Sequence, residues 1–302
     1  MFEILFEYGS MIRKFLGSIY QNYFIGKNKN DRCAWVTLIC NDEYLPGVLA
    51  LVRSLKRSKT IYPLVVIIVE DNVSQDAQQQ IKNEECSIKY VQGLYPNQEL
   101  SDLAAQHFMF AWTKLRAFQM TDIADKCVFL DSDMIVLQNL DEVFQLEDDP
   151  DFAAVQTCIC NPGKISTYPE FWNPSNCPYS HNDLSTIDDR GRMFNGGFFL
   201  FHPNENVFQE MLKCLNTWDL SQFKFAEQDF LNKFYEKNWK SLPSIYNALK
   251  TFSITHPNIW DLSKIKIIHY LNAKPWNKAD PRNQLYENIN QLWWDALEYK
   301  SN

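Results

Sequence analysis

The sequence predicts an α/β fold with a largely parallel sheet, on three observations. From Trp35 onward, strand-like and helix-like patterns alternate; the strand-like runs are continuously apolar, as buried strands are; and no linker interrupts the alternation. The last point argues for one domain in a chain of 302 residues, a length that allows one large domain or two ordinary ones.

Ahead of the alternation, Tyr8, Ile12, Phe15, Leu16, Ile19, Tyr20 and Phe24 recur at helical spacing, which predicts an amphipathic helical extension over residues 1–30. Glu3, Glu7, Arg13 and Lys14 interrupt it, so it reads neither as a secretory leader nor as a transmembrane span. Its apolar face suits the protein's own body or the second subunit of a homodimer. A peripheral membrane contact is the sharper alternative, disfavoured because the polar face is not rich in Lys or Arg. "GKNKNDR" then leads into a domain spanning 31–302.

In that domain "WVTLIC" reads as a buried strand. Pro46 and Gly47 open a helix whose Val48, Leu49, Leu51, Val52 and Leu55 share a face. "LVVIIV" is the second strand, Asp76–Asn83 a helix, and "IKYV" a short strand. Trp112, Leu115, Phe118 and Met120 predict a helix over Phe108–Thr121, and "CVFL" follows as a strand. "FAAVQ" and "GGFFLF" are strand-like, with helices near Val207–Leu215 and Glu227–Tyr235, a late strand "IKIIH" and a closing helix around "NQLWWDAL". The Pro-, Asn- and Ser-rich stretch Asn161–Arg192 is weakly periodic, and a loop of that length reads as a lid or acceptor platform.

Composition narrows the function. Apolar content of 46% and charged content of 22% are those of a soluble globular protein. A net charge of -8 argues against nucleic acid or an anionic membrane as the main partner, since both reward a basic surface. Of eight cysteines, Cys33, Cys40 and Cys127 lie in or beside apolar runs, where a thiol packs as a small hydrophobe. Cys158, Cys160 and Cys177 form a looser group in a loop-like region; a zinc site there is the minor reading, because Cys-x-Cys with one distant partner matches no recognised zinc motif. With no secretory leader read in the sequence, reduced thiols in a cytoplasmic protein are expected.

The chemistry concentrates at strand ends. In "CVFLDSDMIVLQNLDEVF", Asp131 and Asp133 follow a buried strand, where ligands of open α/β sheets gather. Like charges this close call for a cation between them, and hard oxygen ligands suit Mg²⁺ or Mn²⁺; a solvated acidic turn is the competing reading. The glycine and distal glutamate of an EF-hand, a phosphate-binding Gly-x-x-x-x-Gly-Lys and a dinucleotide-binding Gly-x-Gly-x-x-Gly are all missing. His269 ends a strand and could complete a carboxylate-bound ion, with Lys274 placed to pair with phosphate. "FNGG" offers Asn195 beside glycines that let a ligand approach the backbone, or else an ordinary turn. Glu227, Gln228 and Asp229 open a helix, where acids also serve as plain caps.

Taken in order, "VTLICNDEYLPGVLALVRSLK", "TKL", "VFLDSDMIVLQNLDEVF", "FNGGFFLF", "EQDFLN", "LPSIYN", "IIHYLNAKPWN" and "LWW" resemble the glycogenin-like retaining glycosyltransferases of GT-A fold, from about Trp35 to Trp294. The resemblance implies a single Rossmann-like domain that binds a nucleotide sugar on a mostly parallel central sheet. It implies that Asp131, Asp133 and His269 bind Mn²⁺, with Mg²⁺ as a substitute, and that the ion holds the diphosphate of a UDP-hexose. Ser132 would lie against the ribose; Leu38, Cys40 and Asn41 would line the nucleotide, with Tyr44 stacked on uracil. Lys114 and Lys274 would face sugar and phosphates, and Asn195, Gly196, Glu227 and Gln228 would surround the hexose. Glu227, Gln228, Asn195 and Lys274 are the residues implied in catalysis.

Within the family, "YPLVV", "FAEQDFLN", the Cys-x-Cys loop after "FAAVQ" and "THP" before the late strand look like the plant galactinol synthases. That likeness implies transfer of galactose from UDP-galactose to myo-inositol, a small polyol acceptor. A glycogenin-type self-glucosylating role is the alternative, and a UDP-sugar-binding protein without catalysis a third reading. Asn247–Ile268 contains no tyrosine, which disfavours self-priming. The sequence departs from the family at Asn272, where glycine is usual; Asn tolerates the left-handed conformation, so the turn after the histidine is expected to survive. The His269–Lys274 interval is also shorter than in these relatives.

Overall fold

A computed structural model describes residues 32–299 apart from 99, 101–102, 182–188 and 237. The helix expected within residues 1–30 lies outside the described residues. The chain forms β1 (Cys33–Ile39), α1 (Leu45–Arg57), β2 (Leu64–Val69), α2 (Gln75–Asn83), β3 (Ser87–Val91), a 3-10 segment (Gln106–Gln119), β4 (Lys126–Leu130) and β5 (Met134–Val136). Then follow β6 (Phe152–Gln156), β7 (Phe194–Phe201), α3 (Glu205–Thr217), α4 (Glu227–Phe234), β8 (Lys240–Leu242), β9 (Ala248–Leu249), α5 (Phe252–Thr255), β10 (Ile267–His269) and α6 (Glu287–Glu298).

The main sheet has seven strands in the order β3-β2-β1-β4-β7-β6-β8. All neighbours are parallel except β7, which runs antiparallel to both β4 and β6. The apolar runs are continuous because both faces of the sheet are covered. Along β2, Val65, Ile67 and Val69 enter the core beneath the 3-10 segment and α3, while Leu64, Val66 and Ile68 enter the one under α1 and α2. Each such side chain contributes about 1.5–3 kcal/mol by leaving water.

One predicted helix differs in kind. Gln106–Gln119 is 3-10 rather than α-helical, and its buried Trp112, Leu115 and Phe118 recur every third residue. Side chains at that interval eclipse in a 3-10 turn, which places all three against the sheet. "FNGG", read as an alternative turn, is instead the first half of β7.

The second sheet, β5-β10-β9, builds the functional end of the molecule, and sequence patterning missed two of its strands because they are so short. Its pairing sets His269 opposite Met134, next to Asp133, and the Tyr270 N–H donates to the Asp133 carbonyl at 2.9 Å. On the other side of β4, β7 places Phe198 opposite Leu130, and the Asp131 N–H donates to the Gly197 carbonyl at 2.8 Å. Two strand pairings thus bring residues 131–133, 195–197 and 269 together.

Candidate active site

One cavity lies at the C-terminal end of β1 and β4. Leu38, Cys40, Asn41, Tyr44, Lys114, Asp131, Ser132, Asp133, Asn195, Gly196, Glu227, Gln228, His269, Asn272 and Lys274 all line it, so the residues expected to meet the donor, the metal and the hexose border the same space.

Its floor is the turn Asp131-Ser132-Asp133, pinned from below by α1. A Cβ at Gly47 would stand 2.4 Å from the Ser132 carbonyl oxygen, so only glycine lets the helix seat against the turn. The Asp131 and Asp133 carboxylates and the His269 ring present ligand atoms within 4.8 Å of one another. A chain of amides fixes the imidazole. The Asn247 Nδ2 donates to Asn195 Oδ1 at 2.8 Å, so the Asn247 oxygen, 2.9 Å from His269 Nδ1, accepts the Nδ1 proton. Nε2 therefore carries the lone pair. That atom is buried and makes no hydrogen bond, although Asp133 Oδ1 lies at 3.1 Å and Asp131 Oδ2 at 3.8 Å. A ring nitrogen aimed between two carboxylates, with its other nitrogen tied to an amide oxygen, is the arrangement a bound divalent ion requires. The residues fit such an ion.

Two buried ammonium groups balance the acids. Lys114 Nζ lies 2.7 Å from Asp131 Oδ1 and 2.7 Å from Glu227 Oε1 and donates to the Gly196 carbonyl, while Lys274 pairs with Asp133. Burial works to raise the Asp133 carboxyl, but the Lys274 ammonium outweighs it and holds that group well below the usual carboxylate range. Burial likewise opposes the charge on Lys114, and Asp131 and Glu227 reverse that, keeping the ammonium charged. For Glu227 burial prevails and pushes the carboxyl up against the pull of Lys114.

The start of α4 divides its acids between the two roles read from sequence. Glu227 and Gln228 point into the cavity, whereas Asp229 caps the turn before the helix, accepting from the N–H groups of Lys224 at 2.7 Å and Phe225 at 2.9 Å. Ala226, which introduces them, has φ 48, a left-handed backbone unusual for alanine. The Gln228 carbonyl oxygen accepts from Asn195 Nδ2 and from the Gly196 N–H, both at 3.0 Å, leaving the Gln228 amide nitrogen as its free polar group. Asn272 takes φ 62, the left-handed conformation expected of it, and its Oδ1 accepts from the Tyr168 hydroxyl at 3.2 Å.

The opposite wall came less readily from sequence. Phe108, Ile165, Tyr168, Trp172, Phe225 and Leu271 form an apolar face of the cavity, half of it drawn from the loop that follows β6. Trp172 and Phe225 stack at 4.4 Å with Tyr168 edge-on to both. The loop was expected to be a platform, but no local periodicity identifies which of its side chains face inward. Asn247 was missed as well, although "LPSIYN" ends on it.

A family model, Glycosyl transferase family 8, matches residues 35–280. Galactinol synthase 4 of Arabidopsis thaliana is 31% identical over 89% of this chain and 84% of its own length. Galactinol synthase 1 of Solanum lycopersicum is 32% identical over 87% of this chain and 81% of its own. Among solved structures, the galactosyltransferase LgtC in complex with donor and acceptor sugar analogs superposes with a TM-score of 0.58 at 15% identity, covering 89% of this chain and 98% of that one. The chain belongs to glycosyl transferase family 8, has the GT-A fold, and is a UDP-sugar-dependent hexosyltransferase. Among the described residues, no helix is long and apolar enough to cross a membrane.

Proposed function

We propose that this family 8 glycosyltransferase moves galactose from UDP-galactose to myo-inositol, giving galactinol with retention at the anomeric carbon. The observation that carries the donor half is His269 Nε2, buried without a hydrogen bond between Asp131 and Asp133. The acceptor half rests on similarity to galactinol synthases along most of the chain. Two carboxylates with one imidazole suit Mn²⁺ better than Mg²⁺, which keeps to oxygen ligands. Asp131, Asp133 and His269 would hold the ion, which when bound would supply positive charge to offset that of the departing phosphate.

The chain's own groups would supply the rest. Lys274, paired with Asp133 beside Tyr44, is placed to turn toward a phosphate oxygen when donor enters. Lys114, held between Asp131 and Glu227, positions Glu227 toward the hexose. Gln228 would serve as an amide donor rather than a nucleophile, because its oxygen is already engaged twice. Glu227 is a weak nucleophile while paired with Lys114. Front-face attack follows: the acceptor oxygen bonds to the anomeric carbon as the bond to the phosphate oxygen breaks on the same face, and that oxygen takes the hydroxyl proton. The free thiols suit a reducing compartment, and the cytoplasm is the proposed location.

Purified protein with Mn²⁺ and UDP-galactose should release UDP at a rate that depends on added myo-inositol and should yield galactinol. Preference for UDP-glucose, or hexose mass accumulating on the chain without an acceptor, would replace this reading with the glycogenin-type one. UDP binding with no turnover of any sugar nucleotide would leave only a binding protein.

A further inference from the structure

Outside the donor site, four more metal-ligand side chains converge. Cys158 and Cys160 follow β6, Cys177 lies between two 3-10 turns of the loop, and His256 follows α5. His256 Nε2 is 3.2 Å from the Cys158 sulfur, 3.3 Å from Cys160 and 3.5 Å from Cys177, and the Cys158 and Cys177 sulfurs are 3.6 Å apart. A disulfide would need about 2.05 Å. Tetrahedral ligands around one zinc, at about 2.3 Å for sulfur and about 2.05 Å for nitrogen, stand about 3.8 Å (sulfur to sulfur) and about 3.6 Å (sulfur to nitrogen) apart. The observed separations are those of ligands sharing one centre, drawn in by a few tenths of an ångström.

We infer that Cys158, Cys160, Cys177 and His256 form a structural Zn²⁺ site that staples the loop after β6 to the segment between β9 and β10. Three soft thiolates with an imidazole select zinc over the hard ion suited to the carboxylates. Four protein ligands close the coordination sphere, so the site is structural rather than catalytic. All four residues are buried, at 7%, 6%, 0% and 6% exposure, within a cluster of Ile159, Trp172, Phe225, Leu249 and Phe252. An outer group stands by the sulfurs: Ser180 Oγ lies 3.8 Å from Cys160. The clamped loop carries Ile165, Tyr168 and Trp172, so the metal would fix the apolar wall of the cavity without touching the donor end. This inference is independent of the donor and acceptor assigned above.

The test is metal analysis of the full-length protein, produced with zinc in the medium and dialysed against EDTA to strip loosely held ions. About one zinc per chain should remain, and X-ray absorption should show three sulfur neighbours at about 2.3 Å and one nitrogen at about 2.0 Å. Cys177→Ser and His256→Ala should lower the zinc content at least tenfold, while Asp133→Ala should retain it. Wild-type protein with well under half a zinc per chain, with a Cys158–Cys177 disulfide, or with zinc surrounded only by oxygen and nitrogen would each overturn the inference. These wild-type measurements decide the point even where a variant fails to fold.

Discussion

Asp131, Asp133 and His269 meet in the wall of an open cavity with lysines on either side, whereas Cys158, Cys160, Cys177 and His256 meet inside an apolar cluster edged by aromatic rings. Both sets are assembled across long stretches of chain, from residue 131 to 269 in one and from 158 to 256 in the other. They differ in donor hardness, in solvent access and in whether the sphere is closed. A hard, three-ligand site beside two buried ammonium groups suits an ion that arrives with its diphosphate and shares coordination with it. A soft, four-ligand site leaves no position for substrate and suits an ion that stays for the life of the fold. One fold can thus suit an exchangeable metal in a cavity and a permanent one behind its apolar wall, because ligand chemistry separates them.

The sharpest way to break that contrast is Asp133→Ala. It should lower transfer by at least about a hundredfold in steady-state assays while leaving bound zinc untouched. Normal activity would remove Asp133 from the donor site. A chelator should separate the regions in the same manner. Brief EDTA should abolish turnover until Mn²⁺ is restored, with no change in melting temperature, since only the oxygen-rich set should exchange quickly. A large drop in melting temperature under that treatment would mean that the sulfur-rich set exchanges too.

Smaller perturbations sharpen each side. Asn247→Ala removes the acceptor of the His269 Nδ1 proton and should weaken Mn²⁺ binding about tenfold in a titration, with little effect on zinc. Gly47→Ala would force a Cβ to within 2.4 Å of the Ser132 carbonyl and should cost about 1–3 kcal/mol in urea unfolding, along with some activity.

The mildest effect concerns Asp229, whose capped turn joins Phe225 of the apolar wall to Glu227 of the donor end. Burial pushes its carboxyl up to about 6, against the bonds it accepts from Phe225 and Lys224. The folded state therefore holds this proton more tightly than the unfolded chain does. Its contribution favours folding at low pH and is lost as pH rises from about 4 through about 6. Asp229→Asn should flatten that part of the stability–pH curve, and an unchanged slope would assign it to other groups.

Much of the donor end was legible because its ligands sit at strand ends, where a continuous apolar run stops abruptly at a polar residue. "CVFL" before Asp131 and "IKIIH" ending on His269 both announce themselves in this way. The sulfur site gives no such signal. Cys158, Cys160 and Cys177 share a loop without periodicity, and their fourth partner comes 79 residues after Cys177, with no spacing rule to connect it. The "THP" triplet holding His256 was visible, but nothing local indicated which way its ring faces.

By itself, the sequence determined the alternating α/β architecture, the buried strands, the apolar faces of the helices and the carboxylates at the end of β4. Each of these depends on the order of residues over a few turns or a single strand. Only the tertiary structure decided that β10 pairs with β5 to bring His269 beside Asp133, that Asn247 sets its tautomer, and that His256 closes a ring of three cysteines. Those outcomes depend on which distant segments become neighbours. Neighbourhood of that kind is set by the packing of whole sheets, which no short stretch of chain encodes.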